Sequence, residues 1–505
     1  MKTLTELLSV GEASRIAIAA PGRQPCTFAQ LRDQASATIA ALNQFGLGGG
    51  DRVAIVLPNS PEMASAFICI AAGATAAPLN PAYRAEEFEF YLTDLKAKAL
   101  VVASSDDTVA RVVAKRLNLP VIELNVAANS AAGSFTLKTD SPVSVPTPNG
   151  GPAASDDIAL ILHTSGTTSR PKIVPLTQRN VCASARNIRE TLRFTAEDRG
   201  LNIMPLFHIH GLIAGLLAPL SAGSQVQCTP GFNALKFFAW MTETKPTWYS
   251  AVPTMHQTIL SRAANNADVI AANPLRFIRS SSASLPPQVL LELEKVFGCP
   301  VIESYGMTEA AHQMASNPLP SAKRIPGSVG LAAGPEVAIM DEAGNILPRE
   351  CVGEIVIRGE NVTLGYENNP KANAEAFTNG WFRTGDQGVI DIEGYVTLTG
   401  RLKEIINRGG EKISPREVDD VLMDHPAVQQ VITFAMPHDK LGEDVAAAVV
   451  LREGTSATEK ELRGFVGQRL ADFKVPRKIL FLDEIPKGAT GKLQRIGLAA
   501  KLGLA

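Results

Sequence analysis

Cysteine is scarce in this chain, and no two cysteines lie close together. The six of them are Cys26, Cys69, Cys182, Cys228, Cys299 and Cys351. Zinc sites and small disulfide-rich domains use cysteines at short, paired spacings. The pattern therefore predicts neither a zinc site nor a disulfide framework, and it is typical of a protein from a reducing compartment.

An excess of charge of one sign is also missing. Lysine and arginine together number 48 and aspartate and glutamate 50, so the formal net charge is −2. A protein that binds nucleic acid in a general way needs a basic surface. We therefore expect no nucleic-acid partner.

Long apolar runs are lacking as well. The stretch 211–220 is too short to span a bilayer, and residues 1–10 lack the apolar segment of a secretory signal. Residues 501–505 do not form a Ser-Lys-Leu peroxisomal signal. These features predict a cytoplasmic protein with no membrane span, and they leave its oligomeric state open.

The chain does have the length and composition of a multidomain globular protein. Its 505 residues are 45% hydrophobic and 19% charged, and they are too many for a single core. Up to about residue 156, apolar runs such as 53–57 alternate with helical stretches such as 61–72. This alternation predicts an α/β fold built on mostly parallel sheets.

One stretch is unusually rich in hydroxyl groups. It follows a strand-like run at 158–162, precedes a helical segment at 177–190, and consists of Thr164, Ser165, Gly166, Thr167, Thr168, Ser169, Arg170, Pro171 and Lys172. Backbone amides, hydroxyls and two cations on a strand-to-helix loop can wrap phosphate oxygens. The spacing is not that of a Walker A loop, and an ordinary polar surface loop remains an alternative.

A second motif combines an aromatic ring, a hydroxyl and a carboxylate. It consists of Glu303, Ser304, Tyr305, Gly306, Met307, Thr308 and Glu309. The Tyr305 ring can stack on adenine, Thr308 can bond an α-phosphate, and Glu309 can bind a Mg²⁺ ion that also holds phosphate oxygens. A solvated loop glutamate is the alternative interpretation.

Weaker patterns surround these two motifs. Asp386 follows a glycine turn and Arg401 follows Gly400, and such groups can bind ribose hydroxyls. The run 279–284 places small residues at a strand end. A plain turn after a strand is the alternative interpretation. His208 and His210 lie on a turn before an apolar helix, where a histidine is more often structural than functional.

The composition changes near Gly400. Residues 400–412 are charged and contain glycines, and the rest predicts a small α+β domain with a capped helix opening at Ser414. The stretch 486–492 places Lys492 on a glycine-rich arm near the end of the chain. Alone, such an arm is a solvated loop.

Taken together, these motifs resemble the adenylate-forming superfamily, which includes acyl-CoA synthetases, luciferases and the adenylation domains of peptide synthetases. The resemblance extends from about residue 50 to 495. The family usually has glycine at the positions of Ser169 and Ile173, and the second exchange would put a β-branched side chain on a turn. The resemblance implies a large N-terminal domain, 1–400, and a small mobile C-terminal domain, 401–505.

The resemblance also implies roles for residues that are weak predictions on their own. It places His208 beside the acyl substrate, with His210 outside the matching position. It assigns adenylate formation to Lys492 and a hinge to Lys403. The groups implied to contact adenine or the pantetheine arm of CoA are Ser282, Ala283, Ser284, Arg408, Gly409 and Gly410.

The expected reaction is a two-step ligation that uses ATP, Mg²⁺ and CoA. Residues 162–172, 205–215 and 407–415 look particularly like the oxalyl-CoA synthetase branch found in plants and yeast. A site for oxalate must satisfy a second carboxylate, and the residues expected to do so are His208, Ser281 and His312. Two alternatives stay open: the same chemistry on another carboxylic acid, and a non-catalytic nucleotide-binding protein.

Overall fold

A computed structural model describes residues 1–139, 147–164, 171–486 and 493–504 of the chain. The predicted phosphate-binding residues Ser165, Gly166, Thr167, Thr168 and Ser169, and the predicted catalytic Lys492, lie outside these ranges. Within them, no helix is both long and apolar enough to cross a membrane.

Strands and helices alternate through the first 330 residues, and strands predominate afterwards. The strands are β1 (Ile16–Ala19), β2 (Cys26–Thr27), β3 (Arg52–Val56), β4 (Thr75–Pro78), β5 (Ala99–Ala103), β6 (Val121–Asn125), β7 (Thr136–Lys138), β8 (Ile158–His163), β9 (Ile173–Thr177), β10 (Arg199–Asn202), β11 (Gln225–Cys228), β12 (Trp248–Ala251), β13 (Phe277–Ser280), β14 (Val301–Met307), β15 (His312–Ser316), β16 (Leu331–Ala332), β17 (Glu336–Met340), β18 (Ile346–Leu347), β19 (Gly353–Arg358), β20 (Phe377–Thr378), β21 (Trp381–Ile390), β22 (Val396–Arg401), β23 (Ile406–Arg408), β24 (Glu411–Ile413), β25 (Val428–His438), β26 (Gly442–Leu451) and β27 (Lys478–Phe481).

The helices are mostly short. They are α1 (Leu4–Leu8), α2 (Phe28–Gln44), α3 (Pro61–Ala71), α4 (Ala85–Asp94), α5 (Val109–Arg116), α6 (Gln178–Thr191), α7 (Ala218–Leu220), α8 (Phe237–Thr244), α9 (Pro253–Ala263), α10 (Ala267–Ala272), α11 (Pro287–Phe297), α12 (Pro370–Ala376), α13 (Pro415–Met423), α14 (Glu459–Gly467) and α15 (Leu498–Lys501). A π-helical segment, His210–Leu217, leads into α7, and 3₁₀ turns lie at Ala264–Asn266, Thr308–Ala310 and Asp472–Lys474.

Two large sheets form the core of the N-terminal part. One has seven strands in the order β7-β6-β5-β3-β4-β8-β9, and the other has nine in the order β16-β15-β14-β13-β12-β10-β11-β1-β2. Their central pairs are parallel, and antiparallel pairs lie towards the edges. Helix α3 contacts β4 of the first sheet and β1 and β11 of the second, and all of its residues are buried. The layers therefore stack sheet, helix, sheet, as an α/β protein requires.

Two smaller sheets follow. The strands β17 to β22 form an antiparallel sheet that ends at Arg401. The last sheet contains β23 to β27, with β27 parallel to β26 and α13 packed on β25. Hydrogen bonds link this last part to the rest, from Gln257 Nε2 to the Gln429 carbonyl at 3.3 Å and from Arg416 Nη2 to the Gly327 carbonyl at 3.2 Å.

The hydroxyl-rich loop has a different setting from the one predicted. It was expected to join a strand to a helix, but β8 and β9 pair antiparallel on either side of it, and α6 starts only after β9. That expectation was wrong because the return strand is only five residues long and runs directly into the helix cap at Thr177. Ile173 therefore begins a buried strand rather than occupying a turn, and a β-branched side chain suits that position.

Candidate active site

Side chains predicted to be functional gather where the parallel strands β12, β13 and β14 end. Ser250 lies near the end of β12, Ser280 ends β13, and Met307 ends β14. In parallel sheets, ligands bind beyond the carboxyl ends of the strands, because loops there can vary while the strands stay fixed. The sequence motifs 279–284 and 303–309 therefore meet at one edge of the nine-stranded sheet.

Glu309 is buried behind this edge and is held by a tyrosine. The Tyr366 hydroxyl donates a hydrogen bond to Glu309 Oε1 at 2.8 Å. The Lys172 ammonium lies 4.3 Å from the centre of the Tyr366 ring. Burial raises the pKa of Glu309, while the Tyr366 hydrogen bond and the positive charges of Arg401 and Lys172 act in the opposite direction. Glu309 thus lies beside the second end of the hydroxyl-rich loop.

The donor set around Glu309 suits a metal that is held largely by a nucleotide. Among the described residues, no group of three or more His, Cys, Asp or Glu side chains could hold a metal ion. Mg²⁺ bound through substrate phosphates and water needs only one or two protein carboxylates. The buried carboxylate of Glu309 fits that requirement.

The two ends of the hydroxyl-rich loop are bonded to each other. The Thr164 N–H donates to the Lys172 carbonyl at 2.9 Å, and the Lys172 N–H donates to Thr164 Oγ1 at 3.1 Å. These bonds fix where the loop leaves and rejoins the sheet. Thr164 and Lys172 are the only two of its predicted phosphate ligands that the described ranges include.

The predicted ribose ligand Asp386 is held from two sides. It lies on β21 and pairs in register with Arg401 on β22. Arg401 Nε donates to Asp386 Oδ1 at 2.9 Å, and the Tyr305 hydroxyl donates to Asp386 Oδ2 at 2.5 Å. A carboxylate has about four lone-pair positions, so Asp386 keeps acceptor capacity for ribose hydroxyls. The bond to Asp386 also fixes the position of the Tyr305 hydroxyl end.

The rest of the 303–309 motif supports the backbone. Glu303 is fully buried, and its Oε1 accepts a hydrogen bond from the Leu285 N–H at 2.9 Å. Burial raises its pKa to about 7, with the charge of Arg416 opposing. Ser304 Oγ donates to the Ser280 carbonyl at 3.3 Å. Glu303 and Ser304 therefore hold the backbone of the serine turn.

Close packing explains the glycine of this motif. A Cβ built on Gly306 would lie 1.9 Å from the carbonyl oxygen of His312, on the neighbouring strand β15. Met307 pairs with His312 across the same two strands. Thr308 then opens the 3₁₀ turn that joins them. His312 is thus next to the proposed phosphate-binding residues.

The serine turn directs one hydroxyl into the fold and one toward a histidine. Ser281 is fully buried, and its Oγ donates to the Ser304 carbonyl at 3.0 Å. Ser282 has φ +75°, a strained value for a residue with a side chain, and its Oγ lies 3.0 Å from His210 Nδ1. Ala283 and Ser284 are exposed.

Four side chains form what we call the histidine cluster: His210, His312, Ser250 and Ser282. His210 is fully buried, and its Nε2 lies 2.7 Å from Ser250 Oγ. The rings of His210 and His312 stack with their centres 4.9 Å apart. His312 is buried on a strand, which contradicts the alternative of an exposed histidine on a helix. His208 is half-buried, and its Nδ1 accepts a hydrogen bond from the His210 N–H at 3.3 Å.

Several residues at the site were assigned no role from the sequence, although one of them, Arg279, begins the run 279–284. Tyr366, Ser250, Arg279 and Gln313 all reach the site through strand register or loop packing. The one available indication was a polar residue inside an apolar strand, as with Arg279 after Phe277 and Ile278. The sequence also gave His210 less weight than His208, although His210 is fully buried and bonds Ser250 and Ser282.

The predicted CoA-binding loop lies on the last sheet. Arg408 Nε donates to Asp444 Oδ1 at 2.7 Å, and Asp444 is buried. Gly409 and Gly410 follow with φ +60° and +102°, values that favour glycine. The predicted hinge Lys403 is exposed on the turn between β22 and β23.

Two family models match the sequence. The model of AMP-binding enzymes matches residues 10–367, more than half of the chain, and the model of the AMP-binding enzyme C-terminal domain matches residues 417–492. These matches confirm the predicted superfamily.

Similar proteins cover nearly the whole chain. An oxalate–CoA ligase from Arabidopsis thaliana is 46% identical over 487 residues, which are 95% of this chain and 94% of the relative. An oxalate–CoA ligase from Saccharomyces cerevisiae is 44% identical over 476 residues, 88% of this chain and 86% of the relative. The crystal structure of ATP-bound MatB from Rhodopseudomonas palustris matches with a TM-score of 0.88 at 29% identity and covers 99% of this chain and 98% of that one.

These likenesses extend from the sheets to the last small domain and confirm the predicted α/β fold class. Because a family model spans more than half of the chain and relatives above 40% identity cover most of it, the chain belongs to the family of AMP-binding enzymes.

Proposed function

We propose that this protein is an ATP-dependent acid–CoA ligase that converts oxalate to oxalyl-CoA through an acyl-adenylate. The observation that carries the choice of acid is the histidine cluster, because its buried rings and hydroxyls suit a small polar acid. A long alkyl chain can neither donate nor accept a hydrogen bond at these polar groups, so it gains less there than a small dicarboxylate does. The relatives named as oxalate–CoA ligases support the same choice.

In the first step the N-terminal part binds ATP. Thr308 hydrogen-bonds the α-phosphate, Asp386 and Arg401 hold the ribose, and Tyr305 supplies a surface for adenine. The residues that hold the phosphates leaving as pyrophosphate are Thr164, Ser165, Gly166, Thr167, Thr168, Ser169 and Lys172. Glu309, fixed by Tyr366, would hold Mg²⁺, which when bound offsets negative charge on the phosphate oxygens.

The acid lies between the histidine cluster and the α-phosphate. Its reacting carboxylate attacks phosphorus in line with the departing pyrophosphate. Lys492 bridges the carboxylate and the α-phosphate, a contact of roughly 4 kcal/mol per unit-charge pair at 4 Å and an effective dielectric near 20. His208 and His312 hold the second carboxylate, with hydroxyl support from Ser282. The Ser281 hydroxyl, expected to help, instead donates to the Ser304 carbonyl.

In the second step the C-terminal domain, 401–505, turns on the N-terminal domain, 1–400, about Lys403. This rotation withdraws Lys492 and brings Arg408, Gly409 and Gly410 to the strand end. The two glycines leave room for the pantetheine arm. Its thiol loses a proton and attacks the acyl carbon of the adenylate, so that the carbon–sulfur bond forms and AMP leaves. The free cysteines of the chain, five of them buried, are in keeping with a cytoplasmic enzyme.

A panel of small carboxylic acids tests the proposal. The full-length protein is incubated with ATP, Mg²⁺, CoA and each acid, AMP is quantified, and the CoA product is identified by mass spectrometry. We expect AMP and oxalyl-CoA with oxalate. Activity only with medium-chain or aryl acids would transfer the proposal to another acid, and ATP binding without pyrophosphate release for any acid would indicate a non-catalytic nucleotide-binding protein.

A further inference from the structure

One arginine lies inside the N-terminal part without a carboxylate. Arg279 is on β13 and is 0% exposed. Its Nη1 lies 3.4 Å from both Ser250 Oγ and His210 Nε2, and its Nη2 lies 3.4 Å from Gln313 Oε1. Within the described ranges its Nε has no hydrogen-bond partner, and no acidic group contributes to its pKa. The contacts of this cation are therefore to uncharged groups and one imidazole.

A buried charge without a counter-charge is unfavourable. Burial lowers the pKa of Arg279 to about 9, which leaves the guanidinium charged at neutral pH. Proteins that bury an arginine for structure alone usually pair it with a carboxylate. An unpaired one raises the positive potential of its surroundings and favours the arrival of an anion.

The hydrogen bonds connect this charge to the histidine cluster in a defined direction. A guanidinium can only donate, so Ser250 Oγ and His210 Nε2 both accept from Arg279 Nη1. The Ser250 hydroxyl proton then points to His210 Nε2, which leaves the ring proton on Nδ1, directed to Ser282 Oγ. This assignment of the protons is inferred from which groups can donate and which can accept a hydrogen bond. In this arrangement Arg279 fixes which nitrogen of the His210 ring carries the proton.

We propose that Arg279 is a positioning residue that supplies the buried positive charge for the second carboxylate of a short dicarboxylate, acting through Ser250 and His210. The inference rests on the proposed function, since it takes the histidine cluster as the acid-binding position. It adds the reason why a dianion is preferred to a monocarboxylate of the same length. With an anion bound, Arg279 gains the counter-charge that the described part of the protein does not provide.

The test compares oxalate with glyoxylate, which has an aldehyde in place of one carboxylate. We measure kcat and KM for each acid, and KM for ATP, in the wild type, Arg279→Met and Arg279→Lys. We expect Arg279→Met to raise KM for oxalate by about tenfold or more, while KM values for glyoxylate and ATP change by less than about twofold. Arg279→Lys should restore most of the affinity for oxalate, because it keeps the charge.

A second pair of variants leaves Arg279 in place. Gln313→Glu puts a carboxylate against the guanidinium, so it should reduce the preference for oxalate as Arg279→Met does. Gln313→Met removes the same amide, which bonds Thr191 and the Ala333 carbonyl, without adding charge, so it should keep the preference. This pair decides the question if Arg279→Met does not fold.

Equal losses with oxalate and glyoxylate in Arg279→Met, or equal selectivity in the two Gln313 variants, would overturn the inference. Failure of the proposed function is observed separately, in the wild type alone. A wild type that activates malonate but not oxalate would refute the choice of oxalate and leave the Arg279 comparison to be made with malonate. A wild type that activates only monocarboxylates would overturn both.

Discussion

Replacing Tyr366 with phenylalanine removes one hydroxyl and tests how Glu309 is kept ready for a cation. The hydroxyl donates to Glu309 Oε1 at 2.8 Å in a buried setting. Burial raises the pKa of Glu309, and the Tyr366 hydrogen bond is the largest contribution that lowers it. Without that donor the carboxylate is harder to ionise, so its pKa rises further.

The size of the effect follows from the chemistry of the bond. A hydrogen bond to a charged group contributes about 1.5–3 kcal/mol, and one pH unit corresponds to about 1.4 kcal/mol. We therefore expect the acidic limb of the rate of pyrophosphate release to move upward by about one to two pH units. At a fixed pH on that limb the rate should fall at least about tenfold.

The measurement is a pH profile of pyrophosphate release at saturating acid, with KM for MgATP determined at each pH. Tyr395→Phe is the matched control, because it removes a buried tyrosine hydroxyl that donates to the Lys323 carbonyl at 2.6 Å. An acidic limb that stays in place in Tyr366→Phe, or one that moves equally in both variants, would refute the reasoning.

Two further predictions concern a buried acid and the two half-reactions. Since burial raises the pKa of Glu303 to about 7 from 4.5, the folded protein retains a proton that the unfolded chain has released, so the free energy of unfolding should fall as pH rises from 4.5 to about 7. Glu303→Gln keeps the acceptor for the Leu285 N–H and should remove up to about 3 kcal/mol of that fall. Denaturant unfolding of both proteins at pH 4 and pH 8 measures the fall in the free energy of unfolding. An equal fall in the wild type and in Glu303→Gln would count against the prediction. Lys492→Ala should stop adenylate formation yet still convert a supplied acyl-adenylate to thioester, whereas Gly409→Leu should do the reverse, with Gly454→Leu, at another glycine with positive φ, as control. Loss of both half-reactions in each of the first two variants would contradict domain alternation.

Local signals in the sequence were enough for much of the fold. Thr177 accepts a hydrogen bond from the Asn180 N–H and starts α6 where the sequence predicted a helix. Ser414 caps α13 in the same way, although its partner Glu417 bonds Lys474 instead of completing a capping box. Caps are encoded within three or four residues, so they can be predicted without knowledge of the tertiary structure.

Strand pairing was harder to predict, and the hydroxyl-rich loop shows why. β9 has five residues and includes Pro175, which weakens any strand prediction. Its pairing with β8 spans the whole hydroxyl-rich loop, and no short turn motif specifies it. In the sequence, isoleucine at position 173, where the family usually has glycine, therefore looked unfavourable for a turn. In the structure Ile173 is a buried strand residue, where a β-branched side chain is favourable.

Contacts between distant strands also explain which site residues were missed. Thr308, Glu309 and Asp386 carry their chemistry within short motifs, so the sequence predicted them. Tyr366 and Arg279 become relevant only because loop packing and strand register bring them to Glu309 and His210. Neither interaction is visible until the sheet order is known.

The buried setting of the histidine cluster has a consequence for selectivity that a surface site would not have. Removing a hydrogen-bonding group from a ligand leaves its buried partner in the protein unpaired. Sites of this kind discriminate against the analogue that lacks the group by about 10⁴-fold. An apolar pocket distinguishes a single methylene by only about 10- to 200-fold. If His312 and Ser282 of the histidine cluster bind the acid as proposed, the acid panel should show a discrimination of the larger kind between oxalate and propionate. A graded preference that follows chain length would instead mean that the acid binds away from these groups.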